Sequence, residues 1–197
     1  MNIIVGGSYH EPGLSEVFKT AEKLRNAGHT VLYPKKDAKP INVADQFVRF
    51  EGEEDSTPNN LEMEFLKLLE SSDAFVVADL NGYIGEAAVC EISWATALIS
   101  LIKNHQISSP FKKIFLTEPP AGYEAFKEYG PSHPSFKQAL DKVADMYKQY
   151  YSSIEDYYDD TERLYARYID CENQNILKIG IESLLNKKRE IEDDLVR

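Results

Sequence analysis

Short runs of β-branched and aliphatic residues alternate with amphipathic segments through the first 117 residues of this 197-residue chain. Strands are predicted, in chain order, at Asn2–Val5, His29–Tyr33, Ala74–Ala78 and Lys113–Thr117. The segments between them repeat their apolar residues every three or four positions, which is typical of helices. The order βαβαβαβ predicts an α/β fold, a Rossmann-like, doubly wound parallel sheet of about four or five strands.

One intervening helix and one long connection need separate mention. The helix before the third strand is expected to bury a single stripe, formed by Leu61, Phe65, Leu68 and Leu69. The segment from Lys35 to Pro58 is too long for an ordinary connection and is expected to hold a short helix around 43–50. It is either a loop that folds over a site at the strand ends or a surface excursion.

The chain changes character after residue 130. Residues 1–130 carry all the strand signals and are expected to form the α/β domain. Residues 131–197 contain two amphipathic stretches and seven tyrosines between Tyr147 and Tyr168. We expect a C-terminal helical extension there that joins copies of the chain into a homo-oligomer.

Charge restricts the partners of the protein. The chain has 22 Lys and Arg against 33 Asp and Glu, a formal net charge of -11. Such a surface repels phosphate backbones and anionic lipids, so neither a nucleic-acid polymer nor a membrane is an expected partner. No stretch has the length of a membrane span and no signal peptide is recognised, so a cytoplasmic protein is expected.

Neither cysteines nor histidines indicate a metal site. Cys90 and Cys171 stand far apart, outside any C-x-x-C pair, and both are read as reduced. The four histidines share no spacing that would converge on a metal. We therefore expect no metal and no other cofactor.

In an open parallel sheet, ligands bind outside the carboxyl ends of the strands, and two glycine-containing turns follow predicted strands. The first turn reads Gly6, Gly7, Ser8, Tyr9 and leads into a helix. Glycines let backbone N–H groups approach an anion and a helix start favours negative charge, so a phosphate could dock there. The match to G-x-G-x-x-G is poor, however, and a tight strand-to-helix connection explains the same residues.

The second turn runs from Asp79 through Asn81, Gly82 and Gly85 into a helix that contains Glu91. Small residues surround Glu91 on this otherwise apolar helix, at Ala87, Ala88 and Ala95. A buried carboxylate without a partner is costly or has a raised pKa. Glu91 is therefore either a functional carboxylate or a structural one that hydrogen bonds to a backbone amide or to Tyr9.

A carboxylate that faces the anomeric carbon of a sugar can stabilise an oxocarbenium-like transition state or attack the carbon, while a second acid protonates the leaving group. Glu91 is the candidate for the first role. Asp79, at the mouth of the same crevice, is the candidate for the second, although a turn-capping aspartate is an equal explanation. Tyr9 is expected to orient the carboxylate by a hydrogen bond. Gly6, Gly7, Ser8, Asn81, Gly82 and Gly85 are the predicted substrate-binding residues.

These segments resemble the nucleoside 2-deoxyribosyltransferase-like superfamily, which includes nucleotide N-hydrolases. The resemblance covers roughly residues 1–119 and rests on the Gly-Ser loop, the strand Ser-Asp-Ala-Phe-Val-Val-Ala-Asp, the turn Gly-Tyr-Ile-Gly-Glu and the helix Glu-Ile-Ser-Trp-Ala-Thr-Ala-Leu. It implies an α/β domain that acts on a nucleoside or nucleotide. Two features depart from the family pattern. Members are usually compact, whereas this chain adds a helical extension. Members also tend to complete each site with a neighbouring subunit's C-terminal part, and no completing residue is identified in this sequence.

The resemblance also implies roles for particular residues. Glu91 would be the nucleophile that takes the deoxyribosyl group from one base and passes it to another base or to water. The first loop, Gly7 to Tyr9, would contact the sugar or the 5′-phosphate, and Asp79 would lie near the base. An acidic residue of the preceding helix, either Glu62 or Glu64, would bind the sugar.

Two other functions stay open. One is an enzyme that cleaves NAD or processes a nucleotide signal, because related folds place a glutamate similarly to break the nicotinamide bond. The other is a nucleotide-sensing module without turnover. The leading expectation is an enzyme of the N-glycosidic bond, either a transferase or a hydrolase.

Overall fold

The computed structural model describes residues 1–9, 11–41, 48–82, 86–111, 113–117, 152–153 and 156. Gly85 and almost all of the expected helical extension at 131–197 lie outside the described residues. The oligomer expected from that extension therefore stays a prediction.

Six strands and three α-helices are described. The strands are Asn2–Gly7 (β1), Thr30–Tyr33 (β2), Pro40–Ile41 (β3), Arg49–Phe50 (β4), Ala74–Ala78 (β5) and Lys113–Leu116 (β6). The helices are Gly13–Asn26 (α1), Pro58–Ser71 (α2) and Glu86–Lys103 (α3), and a short 3-10 helix spans Leu80–Gly82. The predicted alternation of strands and helices is confirmed for this part of the chain.

Four strands form the main sheet in the order β2-β1-β5-β6, and every neighbouring pair is parallel. The chain leaves β1 for β2 on one side, whereas β5 leads to β6 on the other. The strand order therefore reverses between β1 and β5, where Gly7 pairs with Ala78 at the carboxyl ends. Such a reversal is where open α/β sheets form a ligand crevice.

Helices cover both faces of the sheet. Alternate residues of a strand point to opposite faces, so neighbouring residues of β1 pack against different helices. Ile3 and Val5 of β1 pack with α1 in one apolar cluster, which also contains Val17 and Leu24. Ile4 packs with α2 and α3 in the other and larger cluster. An α/β layer with helices on both faces is thus established.

The buried stripe of α2 differs from the expected one. Its buried positions are Glu62, Phe65, Leu66 and Leu69, whereas Leu61 and Leu68 are only partly buried. The prediction was right at Phe65 and Leu69 and wrong at Leu61 and Leu68, because a count of apolar residues passes over the glutamate. Glu62 therefore occupies a position at which the helix faces the core.

The segment between β2 and α2 forms a small antiparallel sheet, in which Pro40 pairs with Phe50 and Ile41 pairs with Arg49. The short helix expected around 43–50 is therefore wrong at Arg49 and Phe50, which form β4. Residues 42–47 lie outside the described part of the chain. None of the helices in the described ranges is both long and apolar enough to cross a membrane.

Candidate functional site

The two glycine-containing turns meet at the carboxyl ends of β1 and β5, where Glu91 of α3 lies against Gly6. A Cβ on Gly6 would stand 2.9 Å from Glu91 Oε2 and 2.7 Å from Cε2 of Phe75. Real Cβ contacts are longer than this, so the glutamate can occupy its position because residue 6 has no side chain. Gly7 is restricted differently, since its φ of +144° is a conformation that L side chains rarely adopt.

Glu91 is a buried carboxyl group with an unsatisfied oxygen. The residue is 4% exposed, and its Oε2 has no hydrogen-bond partner among the described residues. Burial raises the pKa of Glu91 well above its usual value, and the nearby Glu62 carboxylate raises it further. In the described part of the chain, neither a backbone amide nor the Tyr9 hydroxyl donates a hydrogen bond to this oxygen. The structural alternative for Glu91 is therefore not found at Oε2.

Tyr9 does not make the hydrogen bond that we expected. Its hydroxyl donates to the backbone carbonyl of Val5 at 3.0 Å, so the single phenolic proton is not directed at Glu91. Burial is the largest cause that raises the pKa of Tyr9, followed by Tyr33, Glu91 and further glutamates. Tyr9 is therefore a neutral phenol close to Glu91, held by its own strand.

Four aromatic rings, which we call the aromatic cluster, pack edge to face beside Glu91. They are Tyr9, Tyr33, Phe50 and Phe65. The ring centroid of Tyr33 lies 6.0 Å from that of Tyr9, 5.7 Å from that of Phe50 and 5.5 Å from that of Phe65. Because Phe50 belongs to β4, the segment 35–58 reaches the strand ends, which favours the interpretation of a loop folded over the site.

Several glutamates act on the tyrosines of the aromatic cluster. Burial raises the pKa of Tyr33 far above its usual value, and Glu53, Glu91, Glu64 and Glu62 add to the effect in that order. Of the two α2 candidates for the sugar-binding carboxylate, Glu62 is 8% exposed, whereas Glu64 is exposed to solvent. Glu62 also acts on Glu91, so it is the α2 carboxylate that belongs to the site.

Asp79 follows β5 and is tied to the end of β6. Its backbone N–H donates to Thr117 Oγ1 at 3.0 Å, and that hydroxyl donates to Asp79 Oδ1 at 2.8 Å. The residue is 1% exposed. These bonds fix the Asp79 carboxylate at the carboxyl end of the sheet, and they join it to β6 rather than to the turn that follows it.

The remaining predicted substrate-binding residues that the structure describes lie just after β1 and β5. Ser8 lies against the start of α1, because a Cβ on Gly13 would stand 2.6 Å from Ser8 Cβ. Asn81 is exposed and left-handed, with φ of 54°, and Gly82 ends the 3-10 helix. The start of α1 thus approaches the first loop, as anion binding would require.

Sequence reasoning missed Tyr33, Phe50, Glu53 and Thr117, which the structure places near the predicted residues of the candidate site. Tyr33 and Thr117 had a usable signal, since each stands at the carboxyl end of a predicted strand, where sites form. Phe50 and Glu53 had none, because their position depends on how the segment 35–58 folds back onto the sheet.

No group of three His, Cys, Asp or Glu residues in the described ranges is arranged to hold a metal ion. Comparisons with models of protein families, with curated proteins and with solved structures found no match to this chain.

Proposed function

We propose that the protein is an enzyme of the N-glycosidic bond that transfers a ribosyl or 2-deoxyribosyl group from the base of a nucleoside or nucleotide to another base or to water. The observation that carries the proposal is the buried Glu91, whose Oε2 has no partner among the described residues and lies against Gly6. The position at the reversal of strand order and the resemblance of the motifs to the nucleoside 2-deoxyribosyltransferase-like superfamily support it.

In this proposal the Glu91 carboxylate attacks C1′ of the sugar while the bond from C1′ to the base nitrogen breaks. The bonding electron pair goes to the base, and Asp79 is the group that supplies a proton to a base that needs one. Water or a second base then attacks C1′ and releases Glu91. The backbone of Gly6 to Tyr9 is the proposed contact for the sugar or its 5′-phosphate.

The direct test is the variant Glu91→Gln. Its amide keeps the shape of the side chain but cannot act as the nucleophile. The wild type and the variant are incubated with a panel of ribo- and deoxyribonucleosides and their monophosphates, and free base is measured by chromatography. We expect the variant to lose roughly a thousandfold or more of its turnover. Glu70→Gln, the same change on α2 away from Gly6, is the matched control and should keep full activity.

Mass spectrometry of the wild type provides a second readout. A slow substrate should add the mass of one sugar to the wild-type chain and nothing to the Glu91→Gln chain. Unchanged turnover in the Glu91→Gln variant would refute the assignment of the nucleophile. Absence of free base from the whole panel would refute the proposed reaction with these substrates.

The residues at 131–197 are proposed to join copies of the chain. A chain that ends at residue 130 should then contain fewer copies per particle than the full chain, when the mass from light scattering is divided by the mass of one chain. A shortened chain that keeps its assembly state contradicts this.

A further inference from the structure

The strand β2 is irregular where it pairs with β1. Ile3 of β1 pairs with Val31 of β2. The next pair is Ile4 with Tyr33, so Leu32 is one extra residue in β2, a β-bulge. Bulges between parallel strands are rare, and bulges in general are over-represented beside active sites, where they change the direction of a side chain. The irregularity of β2 therefore needs an explanation, and Tyr33 is the residue that it displaces.

The bulge decides which face of the sheet Tyr33 occupies. Successive side chains of a regular strand point to opposite faces, so Leu32 and Tyr33 should lie on different sides. Both instead pack against the larger apolar cluster, on the face that α2 and α3 cover. Val31 packs against the cluster on the other face. The extra residue thus turns Tyr33 to the face on which Glu91 lies.

On this face, Tyr33 is close to the surroundings of Glu91. Tyr33 pairs with the residue two positions before Gly6, which by strand geometry puts the Cα atoms of Tyr33 and Gly6 roughly 8 Å apart. The Tyr33 ring packs 5.5 Å from that of Phe65, which packs 5.8 Å from that of Phe75. The Phe75 ring and Glu91 Oε2 both lie against Gly6. A continuous series of ring contacts therefore joins Tyr33 to the position of Glu91.

The two tyrosines of the aromatic cluster differ in what their hydroxyls do. The Tyr9 hydroxyl donates to the Val5 carbonyl at 3.0 Å. No hydrogen bond of the Tyr33 hydroxyl is found among the described residues, and Tyr33 is only partly buried, whereas Phe50 and Phe65 are buried. Burial nevertheless raises the pKa of Tyr33 far above its usual value, so the phenol keeps its proton. Tyr33 thus offers a neutral hydroxyl that can donate one hydrogen bond and accept another.

We propose that the Tyr33 hydroxyl hydrogen bonds to a hydroxyl of the substrate's sugar and makes Tyr33 a residue that determines which sugar is accepted. The inference rests on the proposed function, in which Glu91 attacks C1′ and the sugar therefore lies beside Glu91. The unpartnered Oε2 of Glu91, a residue only 4% exposed, is the independent indication that a ligand belongs at this place. A site that hydrogen bonds to a substrate hydroxyl discriminates against analogues without it, because its own polar group is then left unpaired.

The first test compares Tyr33→Phe with the wild type on sugars that lack single hydroxyls. The probes are the common ribonucleosides and their 2′-deoxy, 3′-deoxy, 5′-deoxy, 2′,3′-dideoxy and 2′,5′-dideoxy forms, and kcat/KM for base release is measured by chromatography. Each compound is compared between the two proteins, so its intrinsic lability cancels. We expect Tyr33→Phe to lower kcat/KM about tenfold for compounds that carry one particular hydroxyl and to change it little for those that lack it.

Tyr9→Phe is the matched control, since it removes a hydroxyl from the neighbouring ring that is already bonded within the chain. Its effect on kcat/KM should be the same for all the sugars. An equal loss on every sugar in Tyr33→Phe, or no loss on any, would overturn the role of Tyr33. A dependence on one sugar hydroxyl that appears in Tyr9→Phe and not in Tyr33→Phe would overturn it as well.

Thermal unfolding provides a readout that needs no substrate. Tyr9→Phe loses its hydrogen bond to Val5 and should unfold about 2–4 °C below the wild type. Tyr33→Phe should unfold no lower than the wild type, because its hydroxyl is free for a ligand. If Tyr33→Phe loses as much as Tyr9→Phe, the hydroxyl is bound within the protein and the inference is wrong.

The two proposals fail in different ways. Glu91-dependent base release that responds to no sugar hydroxyl in Tyr33→Phe would refute the role of Tyr33 and leave the proposed function standing. No base release by the wild type from any nucleoside or nucleoside monophosphate would refute the proposed function and the role of Tyr33 with it.

Discussion

The two faces of the main sheet differ in the side chains that they bury. On one face, α1 packs on Ile3 and Val5 of β1 in a cluster of apolar side chains. On the other face, α2 and α3 pack on Ile4 and Phe75 in a larger apolar cluster, but the same helices also bury Glu62 and Glu91. Both faces are closely packed, and among the helices that the structure describes only those on the second face bury carboxyl groups.

The difference bears on how each face responds to substitution. Burial of a carboxyl group costs desolvation free energy, so the presence of Glu62 and Glu91 needs another explanation than apolar packing. Both glutamates occupy core-facing positions of their helices, and Glu91 lies at the end of β1 against Gly6. Substitutions on the α1 face should therefore change stability, whereas those on the α2 and α3 face should change activity first.

The largest expected contrast comes from neighbouring residues of β1 that face opposite sides. Gly6→Ala places a methyl group 2.9 Å from Glu91 Oε2 and 2.7 Å from Phe75, so the carboxylate must move. We expect turnover of the folded variant to fall about 100-fold, the cost of a misplacement of about 1 Å. Val5→Ala should lose about 1–3 kcal/mol of unfolding free energy and keep its turnover. Base release and urea denaturation measure the two effects, and equal turnover in both variants would contradict the contrast.

The pH dependence of stability should also separate the faces. Burial raises the pKa of Glu91, so the folded state holds this proton more tightly than the unfolded state. The contribution of Glu91 to stability therefore falls as pH rises above the ordinary pKa of glutamate. Glu91→Gln should gain stability over the wild type more at pH 8 than at pH 5, as measured by urea denaturation. Glu16→Gln on α1 is the control, and a gain for Glu91→Gln that is the same at both pH values would show that the carboxyl group is not desolvated.

A smaller effect is expected where β5 and β6 end. Thr117→Val removes the hydroxyl that accepts from Asp79 N–H and donates to Asp79 Oδ1. We expect a loss of about 1–2 kcal/mol in unfolding free energy and about tenfold in turnover, because the carboxylate is no longer fixed. Thr117→Ser keeps the hydroxyl and should restore most of both. Full turnover in Thr117→Val would contradict a role of the fixed Asp79 carboxylate in the reaction.

The smallest effect concerns the N-terminal caps of α1 and α2, which lie on opposite faces of the sheet. Thr57 caps α2 by accepting a hydrogen bond from Asn60 N–H at 3.2 Å, whereas α1 begins after Pro12 without a side-chain cap. Thr57→Ala should cost about 1 kcal/mol, and the thermal unfolding midpoint measures it. Thr57→Ser should behave as the wild type. Turnover should not change, and a clear loss would mean that the start of α2 positions Glu62 for the reaction.

The sequence predicted the strands well because their signal is local. Each main strand was placed within two residues of its observed ends. Gly28 follows α1 with φ of +84°, where its N–H bonds to the Arg25 carbonyl. Two of the four predicted stripe positions of α2 were wrong, because a count of apolar residues cannot show that a glutamate takes a core position.

The candidate site was predictable in part. Glu91 was found from its sequence setting, as a carboxylate among small residues on an apolar helix, and Asp79 from its place after a strand. The effect of Glu62 on Glu91 was not predictable, because it joins two helices, and neither was the hydrogen bond of Tyr9 to Val5, which depends on side-chain geometry. Phe50 and Glu53 come from a segment whose fold the sequence did not indicate.

The sequence by itself determined the α/β layer and the two glycine-containing turns that follow β1 and β5, because hydrophobic periodicity and glycine positions act over a few residues. Only the tertiary structure decided that Glu91 rests on Gly6, that Glu62 shares its buried surroundings and that four aromatic rings pack beside them. Desolvation and charge interaction depend on what surrounds a group in space, and residues far apart in the chain supply those surroundings.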